Sequence, residues 1–273
     1  MLRSRVLTSL VLAAVLLGAI FGLSTVPLTL LLALLVLVLG GWEGAGLAGL
    51  QGPVARVAWI LVLLAGGAGL VLLTHERAAS GALFALGTLF WVALCGWLAV
   101  PERGRPHGDE LQPTKLAAIG AILLFAFIAF AWLHVVNPWL LLALLLIIAA
   151  ADIGAYFTGH AIGGTRLAPR ISPGKTRSGA LGGIAAAGLA GLGGSLLPDA
   201  PYGPAVGVLA GLALALLSIG GDLTISLMKR HRGLKDTSRL LPGHGGILDR
   251  IDSLGAAAPA YALLVWLSTA GAG

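Results

Sequence analysis

Apolar runs long enough for an α-helix to cross a bilayer, about 17 to 25 residues, recur along the whole chain. They predict nine spans, at about residues 6–23, 26–41, 54–73, 80–99, 116–133, 138–158, 180–197, 203–228 and 254–271. None alternates with the period of two expected of a membrane β-strand. The first two are short and are also open to reading as a re-entrant pair. The longest polar segments are 101–115, 159–179 and 229–253, too short for a separate domain. Gly- and Ala-rich stretches within the spans supply the small residues that let membrane helices approach closely, which makes a homodimer plausible. The expected architecture is an all-α integral membrane protein, a polytopic bundle of about nine transmembrane helices. Residues 1–135 would form an N-terminal helical region and 136–273 a C-terminal region carrying the site.

Composition agrees with that pattern. Of the 273 residues, 58% are hydrophobic and 10% charged, against about 25% charged in soluble domains; the mean hydropathy is +0.98. Arg3 and Arg5 before an apolar run have the charged start of a signal peptide. A second apolar run follows at once without a convincing cleavage site, which favours retention as a first membrane helix. The single cysteine, Cys95, excludes an internal disulfide. With a cytoplasmic N-terminus, 16 of the 17 Lys and Arg residues fall on the inner side and only Arg77 lies outside. That asymmetry sets both the orientation and the parity of the spans. The net charge of +6 is thus a topology signal, and no nucleic-acid partner is expected.

Charge is concentrated in one place. Residues 221–252 hold 10 of the chain's 28 charged side chains. If the eighth helix continues to about residue 230, Asp222, Ser226, Lys229 and Arg230 share one face. At about 1.5 Å rise per residue, Asp222 lies roughly 10 Å deeper than Lys229. A carboxylate at that depth must face protein or a water-filled cavity and needs a cationic partner. Next come Pro242, Gly243, His244, Gly245 and Gly246, which cannot be regular helix and leave backbone N–H groups free for an anion. Asp249 and Asp252 follow, flanking Arg250. Carboxylates beside a phosphate-accepting loop suit a hard divalent cation completed by substrate phosphates. They equally suit a buried ion pair joining two helices. The metal reading makes Asp222 and Asp249 necessary for turnover but not for folding; the ion-pair reading makes them necessary for folding.

A second polar segment carries compatible chemistry. Asp152 is a carboxylate within the sixth apolar run. Ser172, Lys175 and Thr176 then form a short cationic, hydroxyl-rich loop ahead of a helix. It lacks the glycine spacing of a Walker motif, yet its donors suit phosphate. A juxtamembrane loop touching lipid headgroups is the alternative.

The run from Ser226 through Lys229, Arg230, Lys235, Asp236, Thr237 and Ser238 to the segment Leu241–Asp252 resembles the signature of phosphatidate cytidylyltransferases (CDP-diacylglycerol synthases). The block around Asp152, Gly154, Ala155 and Tyr156, and that around Pro169, Ser172, Pro173, Lys175 and Thr176, are similar to a second family element. Trp42 and Glu43 are similar to a weaker one. Ile153 stands where the family usually has Ser or Thr, and Arg177 and Ser178 depart from the residues that often follow Lys-Thr. The resemblance implies transfer of a cytidylyl group from CTP to phosphatidic acid, with Mg²⁺, at the cytoplasmic face of a prokaryotic plasma membrane. It places catalysis on Asp222, Lys229, Arg230, His244 and Asp249. Metal would sit on Asp222 and Asp249, with Asp252 and Asp152 as further candidates. Substrate would meet Ser172, Lys175, Thr176, Ser226, Lys235, Asp236, Gly245, Gly246 and Arg250. No aromatic stack for cytosine is evident. A cytidylyltransferase acting on an ether lipid, or a transporter with Asp152 and Asp222 as midplane ion sites, would share several of these features.

Overall fold

The structure, a computed structural model, describes residues 13–106, 108, 110–238, 240 and 245–270. Nine helices are present among the described residues: α1 (Ala13–Gly22), α2 (Thr25–Leu47), α3 (Pro53–Leu73), α4 (Arg77–Gly96), α5 (Pro113–Val136), α6 (Pro138–Ile162), α7 (Arg177–Gly194), α8 (Pro204–His231) and α9 (Leu248–Ala270). Seven are long and apolar enough to cross a membrane; α1 is too short within the described residues and the glycine-rich α7 is not among the seven. The chain is therefore a multi-pass α-helical membrane protein. Outward-facing Leu30, Leu61, Leu89, Leu181, Leu189 and Leu209 fit that setting, since they are left exposed where lipid replaces water.

Local chemistry sets the helix starts. Pro53, Pro113, Pro138 and Pro204 each open a helix, where the missing N–H costs nothing. Asn137 caps α6 by accepting from the Trp139 N–H at 3.0 Å. Thr176 caps α7, its Oγ1 accepting from the Gly179 N–H at 3.0 Å. Within α2, Ala33–Leu39 is a π segment. Its wider turn offsets the helical faces before and after it, a distortion that recurs at functional positions. Glu43 lies just beyond it, buried.

The all-α expectation needs one addition. The segment around Ser172 and Lys175 is not a plain loop but an antiparallel hairpin, β1 (Arg166–Ala168) with β2 (Ser172–Thr176), running straight into α7. Two boundaries also move. The eighth helix continues to His231, and α9 begins at Leu248, ahead of its apolar run, so Asp249 and Asp252 lie inside a helix. Helices α6, α7, α8 and α9 pack in sequence, and α9 also packs on α4 and α5. One continuous core results, with Phe84, Trp91, Leu123, Met228 and Tyr261 fully buried in it.

Candidate functional site

The site starts from a close helix contact. A methyl group at Gly221 would fall 2.6 Å from the Asp252 carbonyl oxygen and 2.5 Å from the Ala256 Cβ, so only glycine allows α8 to lie this near α9. That contact brings Asp222 close enough to Asp252 for their charges to interact. Asp222 Oδ1 accepts from Ser226 Oγ one turn on, at 3.2 Å. Its Oδ2 forms an ion pair with Lys175, carried in from β2. The two side chains keep 26% and 31% of their surface exposed, so this pair borders open space.

Two turns along α8 a second pair differs in kind. Lys229 Nζ donates to Asp249 Oδ1 at 2.6 Å, with side-chain exposures of only 9% and 5%. The other oxygen of Asp249 accepts from the Thr237 N–H (2.8 Å), Thr237 Oγ1 (3.0 Å) and the Gly246 N–H (3.0 Å). Glu43, nearly two hundred residues upstream, completes the arrangement. Its Oε1 accepts from Ser238 Oγ (2.7 Å) and the Ile247 N–H (3.0 Å). Its Oε2 accepts from the Leu248 N–H (2.8 Å) and shares the single Thr237 hydroxyl proton with Asp249 Oδ2, each oxygen lying 3.0 Å from Oγ1. Glu43 thus serves the free N–H groups at the start of α9, where negative charge also meets the helix dipole favourably. Together Glu43 and Asp249 tie Thr237 and Ser238 to Gly246, Ile247 and Leu248. Gly245 has a φ of +80°, which favours glycine. A Cβ at Gly246 would lie 2.4 Å from Glu43 Oε2, so this glycine is required by the carboxylate packed upon it.

Two cavities open beside these pairs. One of about 400 Å³ is lined by Asp152, Tyr156, His160, Arg166, Lys175 and Asp222 among others. A smaller one of about 270 Å³ is bordered by Asp152, Asp249, Arg250 and Asp252. Asp152 faces both and is solvent-accessible through them. The larger cavity sets Lys175, Arg166 and His160 against Asp152 and Asp222, with the rings of Tyr156 and His160 stacked at 6.1 Å.

The residues singled out from the sequence are therefore divided. Asp152, Asp222 and Lys175 share the larger cavity; Asp249, Asp252 and Arg250 border the smaller one. Lys229 and Asp249 pair with each other, and Ser226 supports Asp222. The Arg230 guanidinium is turned to backbone carbonyls, Ile171 O at 3.1 Å and Leu234 O at 3.3 Å, and so ties the hairpin to α8. The Thr176 hydroxyl caps α7, Ser172 is half-buried in the hairpin, and Lys235 and Asp236 are exposed beyond α8. His244 lies outside the described residues. Glu43 is signalled in the chain only by its likeness to a family element, and His160 and Arg166 by nothing.

The side chains offer oxygen ligands suited to a hard divalent cation. Asp222 interacts electrostatically with both Asp152 and Asp252, an acidic wall beside open volume, although among the described residues no three His, Cys, Asp or Glu side chains close into a ready ligand cluster. Mg²⁺ binds through one or two carboxylates plus substrate phosphates, and does not require such a cluster. Asp222, Asp152 and Asp252 fit that donor set. Asp249 fits it only if it gives up part of its four-donor shell.

Fold and site together define a multi-pass membrane protein whose charged end pairs two lysines with carboxylates beside open cavities. The chain belongs to the cytidylyltransferase family, whose sequence profile it matches over residues 3–268. It is 39% identical over 282 positions to a phosphatidate cytidylyltransferase of Pseudomonas aeruginosa, covering the whole of both chains. It is 33% identical over 290 positions to one from Haemophilus influenzae, covering 96% of this chain and 97% of the relative. A phosphatidate cytidylyltransferase of Brucella suis is 43% identical over 204 positions, 73% of this chain and 69% of the relative.

Proposed function

We propose that this chain transfers the cytidylyl group of CTP to phosphatidic acid, giving CDP-diacylglycerol and pyrophosphate in phospholipid synthesis. The observation that carries the reading is the Lys175–Asp222 pair at the edge of an open cavity, in a member of the cytidylyltransferase family. A phosphate oxygen of the lipid forms a bond to the α-phosphorus of CTP. The bond from that phosphorus to the bridging oxygen of the β-phosphate breaks, and pyrophosphate leaves with the electron pair. The nucleophile is already ionised, so the protein's work is positioning and charge neutralisation.

Lys175, Arg166 and His160 supply donors for the triphosphate from one wall of the larger cavity. Asp222 orients the Lys175 ammonium, and Ser226 orients Asp222. Lys229 and Asp249, with Glu43, tie Thr237 and Ser238 to Gly246 and Leu248 at the start of α9. Mg²⁺ held by Asp222, with Asp249, Asp252 and Asp152 as its other candidate ligands, would neutralise the charge on the transferring and leaving phosphates. Purified protein is expected to release pyrophosphate only when CTP and phosphatidic acid are both present, and to stop on addition of EDTA until Mg²⁺ is restored. Turnover of CTP without lipid, or turnover indifferent to EDTA, would contradict this.

The site is placed at the cytoplasmic face of the plasma membrane on the strength of the basic-residue asymmetry. A cysteine introduced at Ser238 is expected to react only with reagents that cross the membrane. Labelling of intact cells by an impermeant reagent would reverse the orientation.

A further inference from the structure

At the same end of the bundle, on the far side of the α8 terminus, lies a separate cavity of about 470 Å³ between α4 and α5. Lys229 reaches from α8 to Asp249; His231, two residues on, faces the other way and meets Lys115. His231 Nε2 lies 2.6 Å from the Pro101 carbonyl oxygen, which can only accept, so Nε2 carries the proton. Nδ1 is then the acceptor for the Lys115 ammonium at 3.0 Å. The imidazole in this arrangement is neutral. It satisfies one N–H of Lys115 but none of its charge.

Lys115 is only 4% exposed. The Trp97 ring lies beside it, 5.8 Å from Nζ to the centroid, and the other charge that bears on it is that of Arg232, also positive. Among the described residues no carboxylate lies within ion-pair distance of Lys115 or Arg103, and the nearby Glu102 is committed to Arg105 at 3.0 Å and Arg170 at 4.0 Å. A cation this buried ordinarily has an anionic partner. The cavity supplies room for one. Arg103 and Lys115 line it at its polar end, and Ala93, Leu94, Trp97 and Ala118 give it an apolar wall. The neighbouring Leu89 and Val92 on α4 face outward with 66% and 56% exposure, so the apolar wall continues into a lipid-facing surface.

We infer that this cavity binds the phosphate headgroup of an anionic membrane phospholipid, with Arg103 and Lys115 on the phosphate and an acyl chain along Ala93, Leu94 and Ala118. Positive charge at one end and a lipid-facing apolar wall at the other suit an amphiphile better than a free phosphate. The site is distinct from the one that takes CTP, since it is built from α4 and α5 and shares none of that cavity's lining residues.

The test uses the full-length protein in phosphatidylcholine nanodiscs doped with phosphatidylglycerol that carries a photoactivatable group on one acyl chain. Irradiation and peptide mapping are expected to label residues 93–118 several-fold more than the equivalent phosphatidylcholine probe does. Arg103→Ser removes an exposed charge and should abolish that excess without harming the fold. Ala118→Phe, which fills the apolar wall, should abolish it independently. Equal labelling by the two probes, or an excess that survives both substitutions, overturns the proposal. Loss of labelling on addition of soluble glycerol phosphate overturns it in favour of a water-soluble anion.

Discussion

Asp249→Asn is expected to lower the stability of the purified protein by about 3–5 kcal/mol, the range seen when one partner of a buried ion pair is removed. Lys229 and Asp249 retain only 9% and 5% of their side-chain surface, so the neutral amide would leave a buried ammonium unpaired. The loss reaches further than that pair. Asp249 Oδ2 also accepts from Thr237 and Gly246, and an amide nitrogen placed there would oppose two N–H donors. A thermal unfolding series in detergent measures the effect. The double variant Asp249→Asn with Lys229→Met removes the stranded charge and should recover much of the stability without recovering turnover. An Asp249→Asn protein as stable as the parent would refute the ion-pair role and return this residue to a pure metal-ligand role.

Asp222→Asn is expected to do the opposite: to remove turnover and leave the fold intact. The Lys175–Asp222 pair is partly open, at 31% and 26% exposure, and pairs of that kind contribute about 0–1 kcal/mol to stability. Asp222 is also the carboxylate that bears on both Asp152 and Asp252. Taking its charge away releases Lys175 from its orientation and, on the proposed reading, takes away an oxygen donor for Mg²⁺. Pyrophosphate release should fall to background while the unfolding temperature changes little. A variant that retains turnover would detach this pair from the chemistry, and one that fails to fold would make Asp222 structural, like Asp249.

The contrast between the two aspartates could not be read from the chain. Their carboxylates sit in the same charged stretch, and spacing along α8 puts Asp222, Ser226 and Lys229 on one face, as the structure shows for Asp222 and Ser226. Which cation each carboxylate meets depends on elements far away in sequence: Lys175 arrives from a hairpin, and Lys229 turns across to α9. The apolar runs were legible because lipid demands uninterrupted length. The hairpin was not, being only eight strand residues in a segment with no alternation to announce it. The start of α9 was hidden for a different reason. Leu248 and Asp249 precede the apolar run, and the helix begins there because Glu43 and Asp249 accept the N–H groups of Leu248, Ile247 and Gly246. Glu43 reads from the chain only as part of a weak family element after an apolar run, since its four partners lie some 190 to 205 residues downstream. The glycine–proline stretch was readable as irregular backbone. Its steric reason at Gly246 appears only once the Glu43 carboxylate is in place.

The position of an isotope label in CTP shows which phosphorus the lipid phosphate attacks. Purified protein is given phosphatidic acid and CTP labelled at the α-phosphorus, and in parallel CTP labelled at the γ-phosphorus. The α-label is expected to enter the lipid phase as CDP-diacylglycerol while the γ-label stays in water as pyrophosphate, and Asp222→Asn to lose both signals together. Label from the γ-position in the lipid, or lipid that remains unlabelled by either substrate while the protein is folded, would contradict it.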